Sequence, residues 1–187
     1  MSDSAGGARV GDGRVSVSLS EMLLEEFEPE IAGCRRTLER VPDNRLGWRP
    51  HPKSAAMGWL AGHLANVPSW AAMTIQTESL DIAPDGEEAG PLPEPETVAE
   101  VVQALDRNAG DARSALRNAS NDELLLPWSL LRNGQILLTQ TRISVLRSFV
   151  FNHLVHHRAQ LGVYLRLNDI SVPAIYGPSA DENPFGS

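Results

Sequence analysis

Apolar residues recur at alternating spacings of three and four in four stretches of the chain, and this period is typical of amphipathic helices. The predicted helices cover residues 18–41, 54–75, 96–119 and 141–167. The first begins with Ser18-Leu-Ser-Glu21, which matches a capping box. Pro29 and Pro68 lie inside the first and second helices, so a kink or break is expected at each. Because no framework of alternating strands is present, the pattern predicts an all-α fold, a four-helix bundle.

The segments between and beyond these helices have the composition of turns and loops. Two short apolar runs flank Asn133-Gly134, the pair that a type I′ turn favours, so a small β-hairpin is expected near residues 128–138. Residues 81–95 contain four prolines and five acids and are predicted to form an exposed loop. We expect residues 1–17, rich in Gly and Ser, to be a flexible segment, and 170–187 to be a tail that packs on the bundle. The bundle itself is predicted to be one domain, 18–169.

Composition and charge exclude several classes of protein. The chain of 187 residues has 24 acidic and 16 basic side chains, a net charge of −8, which disfavours binding to nucleic acid because that affinity depends on clustered Lys and Arg. No run of about 18 apolar residues predicts a membrane span. The single cysteine, Cys34, excludes an intrachain disulfide and lies on the apolar stripe of the first helix, where a packed thiol is expected. With no leader pattern at the N-terminus, we predict a cytoplasmic protein.

Three of the five histidines are concentrated in the last predicted helix, at His153, His156 and His157. Positions i and i+4 share a helical face, so His153 and His157 can point their rings to one place. A catalytic metal site typically has three protein ligands, and His63 is the other histidine on a helical stripe that should face the core. The spacing therefore suggests a metal site formed by these three histidines.

Two alternatives stay open on spacing alone. His156 is at i+3 from His153 and can replace His157 on the same face. Histidines that are hydrogen-bonded within a core, with no metal, would give the same pattern. His51 lies in a Pro-rich loop and is expected to be solvated.

The histidine segments resemble a known family. Asn152-His-Leu-Val-His-His-Arg-Ala-Gln-Leu161 is similar to the last-helix signature NHxxHHRGQL of the DinB-like family. Residues 54–66 (SAAMGWLAGHLAN) are similar to the family's second-helix segment with its single histidine, and 172–182 resemble an ending found in one subgroup. The resemblance covers roughly residues 18–182, and the chain departs from it at Ala159, where the family usually has Gly. One small residue replaces another there, so close helix packing should survive.

The resemblance implies a four-helix bundle of the DinB-like type that forms a homodimer and binds a divalent metal. Carried over position by position, the metal ligands fall on His63, His153 and His157. Zn or Ni is expected first, with Fe as a further choice, because neutral imidazoles suit these metals. The resemblance favours a metal-dependent enzyme acting on a small molecule, either a thiol transferase that uses a low-molecular-weight thiol or a hydrolase. A non-catalytic metal-binding or stress-associated bundle is the alternative.

Other residues are candidates for a place around the metal or in a substrate pocket. They are His156, Arg158, Gln160, Trp70 and Tyr176. Each also has a purely structural interpretation, as a salt bridge, a packed amide or a packed ring. Signatures of other enzymes are absent: the sequence has no Glu-x-x-His pair, no HExxH and no GxSxG, so no di-iron, zincin or esterase motif is present.

Overall fold

The computed structural model describes residues 17–87, 90 and 94–186. The predicted flexible segment 1–17 lies outside these residues except for Val17, whose carbonyl accepts a hydrogen bond from Asn121 Nδ2 at 2.8 Å. Part of the predicted loop 81–95 lies outside them as well.

Seven α-helical segments are present in the described part of the chain. They are α1 (Leu19–Leu38), α2 (Met57–Asn66), α3 (Ser69–Gln76), α4 (Val98–Asn118), α5 (Asn121–Leu125), α6 (Arg142–Val145) and α7 (Asn152–Leu167). A π-helical turn, Leu146–Phe151, joins α6 to α7, and single 3₁₀ turns cover Asp43–Arg45 and Pro84–Gly86. The chain is mainly helical, as predicted, but the predicted count of four helices is not confirmed.

The apolar stripes of the helices meet in one core. Phe27 of α1, Leu105 of α4 and Leu154 of α7 have no exposed surface, and Leu60 of α2 is 2% exposed. Burying a side chain of this size stabilises the fold by roughly 1.5–3 kcal/mol. Within the ranges given above, no helix is both long and apolar enough to cross a bilayer.

The ends of the helices are capped partly as the sequence predicts. Ser18 Oγ accepts a hydrogen bond from the Glu21 N–H at 3.2 Å. The predicted start of the second helix, residue 54, is wrong, because α2 begins only at Met57 and no side chain caps it. Its first N–H groups donate instead to the carbonyls of Trp48 (2.8 Å) and Leu46 (2.7 Å).

The prolines inside the predicted helices have different effects. Helix α1 continues through Pro29 without a break, whereas Pro68 stands at the junction of α2 and α3 and divides the second predicted helix. Pro68 is the N-cap of α3, a position at which its missing N–H leaves no intrahelical hydrogen bond unmade. The kink or break expected at Pro29 is not matched by any break in α1. The fourth predicted helix is also interrupted, by the π turn.

The predicted hairpin is confirmed, and a third strand joins it. Strands β2 (Pro127–Arg132) and β3 (Gln135–Thr141) are antiparallel, and Asn133 and Gly134 between them have φ of 51° and 73°, as a type I′ turn requires. Strand β1 (Ser79–Asp81) pairs in parallel with β2, so the sheet order is β1-β2-β3. The prediction placed Asp81 in an exposed loop and missed this strand.

The carboxylate of Asp81 ties β1 to the hairpin turn. It accepts hydrogen bonds from the backbone N–H groups of Gly134 (2.7 Å), Ala83 (2.9 Å) and Asn133 (3.0 Å). These bonds, the one from Gly134 above all, hold the pKa of Asp81 below its ordinary value. The bonds to Gly134 and Asn133 thus hold β1 against the turn between β2 and β3.

The C-terminal segment from residue 170 lies along α1 and α7. Arg40, just after the end of α1, pairs with Glu182, and Arg166 of α7 pairs with Asp181. The same Glu182 accepts a hydrogen bond from the Ala174 N–H at 2.9 Å, which folds the segment back on itself.

Candidate metal centre

Three imidazole rings from two helices meet at one point. His153 and His157 are one turn apart on α7, and His63 comes from α2. The Nε2 atom of His153 lies 3.0 Å from His63 Nε2 and 2.7 Å from His157 Nε2. One nitrogen atom from each of the three rings lies within 4.8 Å of the other two.

Hydrogen bonds among the rings cannot satisfy this arrangement. The Nε2 of a neutral imidazole carries either one proton or one lone pair in the ring plane, so it forms one strong hydrogen bond. His153 Nε2, however, is close to two other Nε2 atoms at once. A divalent cation accepts a lone pair from each ring, and three histidines are an established ligand set for such a cation. The residues therefore fit a divalent metal.

The protonation state of the rings also suits a metal ligand. Burial, with the proximity of the other histidines, lowers the pKa of His63 to about 4 and that of His153 to about 4. Burial also lowers the pKa of His157. At neutral pH the rings are uncharged, which leaves lone pairs for coordination.

Two tryptophans enclose the histidine from α2. The ring of Trp59 stacks on His63 with centroids 4.9 Å apart and planes at 8°. Trp70 meets both His63 (5.6 Å) and His153 (5.1 Å) edge to face. These contacts restrict the orientation of the rings and cover them from solvent.

Gln160 of α7 fixes the orientation of the third ring. Its Oε1 accepts a hydrogen bond from His157 Nδ1 at 2.7 Å. With the proton on Nδ1, the lone pair of His157 is on Nε2, the atom that points at the other two rings. His156, by contrast, is exposed, and its ring lies beside that of His157 (4.8 Å) but outside the group of three. The structure thus brings His157, and not the alternative His156, into the cluster.

Arg158 and Tyr176 lie on a different side of α7 from the three imidazoles. The buried guanidinium of Arg158 pairs with Glu30 of α1 (Nη1 to Oε2, 2.6 Å) and donates to the Tyr176 hydroxyl at 2.5 Å. Tyr176 in turn donates to Glu30 Oε1 at 2.7 Å. No contact among the described residues joins this trio to the imidazoles. Of the two interpretations of Arg158, the salt bridge describes its position: it joins α7 to α1 and does not contact the imidazoles.

Cys34 is next to this ion pair and has the environment expected of a packed thiol. It is fully buried, and burial raises the pKa of its thiol to about 12. Its Sγ lies 4.0 Å from Arg158 Nη1. The thiol is therefore protonated at neutral pH and unsuited to act as a nucleophile.

A pocket opens beside the histidines. Its volume is about 220 Å³, and it lies between α3, the sheet and the helix that leads into α7. Trp70 and His153 form the wall shared with the metal centre, and Leu80, Trp128 and Phe149 form much of the rest. Of the two interpretations of Trp70, pocket wall or packed ring, the first describes this position.

Sequence reasoning did not single out Trp59 or Glu30, which contact candidate residues directly. Trp59 precedes His63 by four positions, so the helical period alone puts it on the same face and could have indicated the stacking. No local signal exists for Glu30, because its partner Arg158 is 128 residues away.

Known proteins resemble the chain in sequence and in fold. The family model described as the DinB superfamily matches residues 27–161. Protein YrdA of Bacillus subtilis strain 168 is 24% identical over 165 residues, which cover 86% of this chain and 89% of YrdA. The crystal structure of a DinB-like protein from Bacillus cereus ATCC 10987 aligns with a TM-score of 0.68 and 18% identity, over 85% of this chain and 98% of that one. A DinB-like protein from B. subtilis (YjoA) aligns with a TM-score of 0.62 and 14% identity, over 82% and 97%. At these identities the structural matches establish the fold alone.

Proposed function

The chain belongs to the DinB superfamily, and on that premise we propose that it binds one divalent metal ion through His63, His153 and His157 and uses it in an enzymatic reaction on a small molecule. Thiol transfer is our first choice of reaction and hydrolysis the second. The observation that carries the proposal is the convergence of three neutral Nε2 atoms that cannot satisfy one another by hydrogen bonds. We propose Zn or Ni as the metal, with Fe as a further choice.

The donor set determines which chemistry a bound metal supplies. Three uncharged imidazoles leave the charge of a divalent ion uncompensated, so the ion acts as a Lewis acid that favours the deprotonated form of a thiol or of water. Among the described residues, no carboxylate or thiol belongs to the group of potential ligands. The protein therefore supplies three ligands and leaves coordination positions for exogenous molecules, which is typical of catalytic rather than structural sites.

The surrounding residues hold the ligands in place. Gln160 keeps the His157 proton on Nδ1, and the Trp59 ring keeps His63 in one orientation. Ligands that are ordered before the metal arrives lose less conformational entropy on binding it. Such an ordered, partly covered site suits a catalytic metal that must admit small reactants.

Metal analysis of protein purified without a histidine tag tests the ligand assignment. We expect about one divalent ion per chain, and loss of that ion in His153→Ala because only two of the three imidazoles remain. His156→Ala is the matched control on the same helix, and it should keep the metal because its ring is exposed and outside the cluster. Equal loss in both variants, or full metal content in His153→Ala, would show that the ligands are assigned wrongly.

The choice between thiol transfer and hydrolysis needs a spectroscopic test. The cobalt(II) form should gain intense near-ultraviolet charge-transfer absorption when a thiol coordinates through sulfur. We would titrate it with glutathione, cysteine, bacillithiol and mycothiol. A response to one thiol that is absent in His63→Ala supports thiol transfer, whereas no response to any of them leaves hydrolysis or the non-catalytic alternative.

A further inference from the structure

The pocket beside His153 has an almost entirely apolar lining apart from that histidine. Side chains of α3, the sheet and the π-helical turn enclose its volume of about 220 Å³. The lining includes no Lys, Arg, Asp or Glu among the described residues. A charged ligand group in this pocket would lose its hydration without gaining a partner of opposite charge, which is costly. The pocket therefore favours an uncharged apolar group.

The hydroxyl of Thr74 lies behind this lining. Thr74 lines the pocket and has no exposed surface. Its Oγ1 is buried and has no hydrogen-bond partner among the described residues, while its backbone carbonyl accepts from Arg142 Nε at 3.1 Å. An unsatisfied buried hydroxyl is destabilising. Because Thr74 Oγ1 has no accessible surface, a ligand in the pocket gains no hydrogen bond from it, and the surface that the ligand meets is apolar.

We infer that this pocket binds the apolar body of a neutral small molecule, while another part of the molecule reaches the His153 end. The inference rests on the proposed function, because it assigns the pocket to the second reactant rather than to the thiol or water. Low-molecular-weight thiols such as glutathione carry several charges, and the pocket offers no group to neutralise them.

The volume limits the size of this reactant. An apolar protein cavity of about 150 Å³ is sufficient for benzene. The pocket here is larger by about half, so it suits one six-membered ring with a short substituent, or an aliphatic group of similar bulk. The class of substrate is thus a neutral, compact, mainly apolar molecule.

The test uses three probes of similar size on the metal-free protein, so that binding does not depend on the metal. Benzyl alcohol has the hydroxyl, toluene lacks it, and benzoate replaces it by a charge. We would measure each affinity by calorimetry and by the fluorescence of the lining tryptophans. We expect benzyl alcohol and toluene to bind and benzoate to bind at least about tenfold more weakly than benzyl alcohol.

Variants of Thr74 and Leu80 place the probes in the pocket. Thr74→Val keeps the volume and changes a side chain that has no accessible surface, so it should leave the affinities of both neutral probes unchanged. Leu80→Trp, at a position 37% exposed and thus tolerant of a larger side chain, should fill the pocket and abolish binding of both.

Each outcome bears on a different proposal. No binding of either neutral probe, benzoate binding as tight as benzyl alcohol, or undiminished binding of the neutral probes to Leu80→Trp would overturn the inference about the pocket. A protein that binds these probes as expected but no metal would overturn the proposed function and not the nature of the pocket.

Discussion

Replacing Arg158 by Met tests how much of the stability depends on the buried ion pair between α1 and α7. The side chains of Arg158 and Glu30 are 4% and 10% exposed, and Arg158 also donates to the Glu30 carbonyl at 3.1 Å. Removing one member of a buried pair leaves an uncompensated charge and costs about 3–5 kcal/mol. The Tyr176 hydroxyl still donates to Glu30, so we expect a loss of about 3 kcal/mol, the lower end of that range. For a chain of this length that corresponds to roughly 6–12 °C in melting temperature.

Urea unfolding followed by tryptophan fluorescence measures this loss, and a double variant provides the control. Adding Glu30→Gln to Arg158→Met removes the unpaired charge, so the double variant should be more stable than Arg158→Met alone. A loss below about 1 kcal/mol for Arg158→Met, or a double variant in which the two losses simply add, would refute the reasoning. Metal content should be unchanged in folded Arg158→Met, because its guanidinium points to α1 and away from the imidazoles.

The remaining predictions concern stability, pH and assembly. Thr74→Val should raise the free energy of unfolding by about 1 kcal/mol, because it removes an unsatisfied buried hydroxyl. Calorimetry would measure the melting temperature, and an unchanged or lower value would contradict this prediction. The metal-free protein should lose stability as pH falls from about 6.5 to about 4: in that window His63 and His153 are protonated in the unfolded chain but not in the folded one. Urea midpoints that stay constant over this window would contradict the low pKa values. We also expect a symmetric homodimer, and a single monomeric species in sedimentation at micromolar concentration would exclude it.

The elements that the sequence predicts well are those with a strong local pattern. The type I′ turn follows from two adjacent residues, Asn133 and Gly134, that adopt positive φ easily. Strand β1 has only three residues, and it is a strand because β2 is beside it, so no period could indicate it. Helix α5 is five residues long, too short for a periodic stripe. For α5 the sequence does contain a local signal, the capping box of Ser120 and Glu123. A three-residue strand such as β1, in contrast, depends on its tertiary neighbour.

The same distinction between local pattern and tertiary contact applies to the residues of the candidate site. His153 and His157 are predictable because the spacing of i and i+4 is a property of one helix. Arg158 follows His157 directly, but one step along a helix rotates a side chain by about 100°, so adjacency in sequence places it on another face. The structure accordingly turns it toward α1 and Glu30. The last-helix motif thus contains both metal-ligand candidates, His153 and His157, and a residue of a separate ion pair, Arg158.

The π-helical turn explains how the pocket and the metal centre come to share one wall. Val145, Phe149 and His153 all line the pocket, at two successive spacings of four. In an α-helix each such spacing advances about 40° beyond a full turn, so two of them would rotate His153 by roughly 80° from Val145. Residues Leu146–Phe151 form a turn with hydrogen bonds that span five residues, and this wider turn keeps positions four apart closer to one face. The π-helical turn therefore places the pocket side chains Val145 and Phe149 and the candidate metal ligand His153 on one side of the helix. The repeated spacing of four is the feature of the sequence that corresponds to this turn.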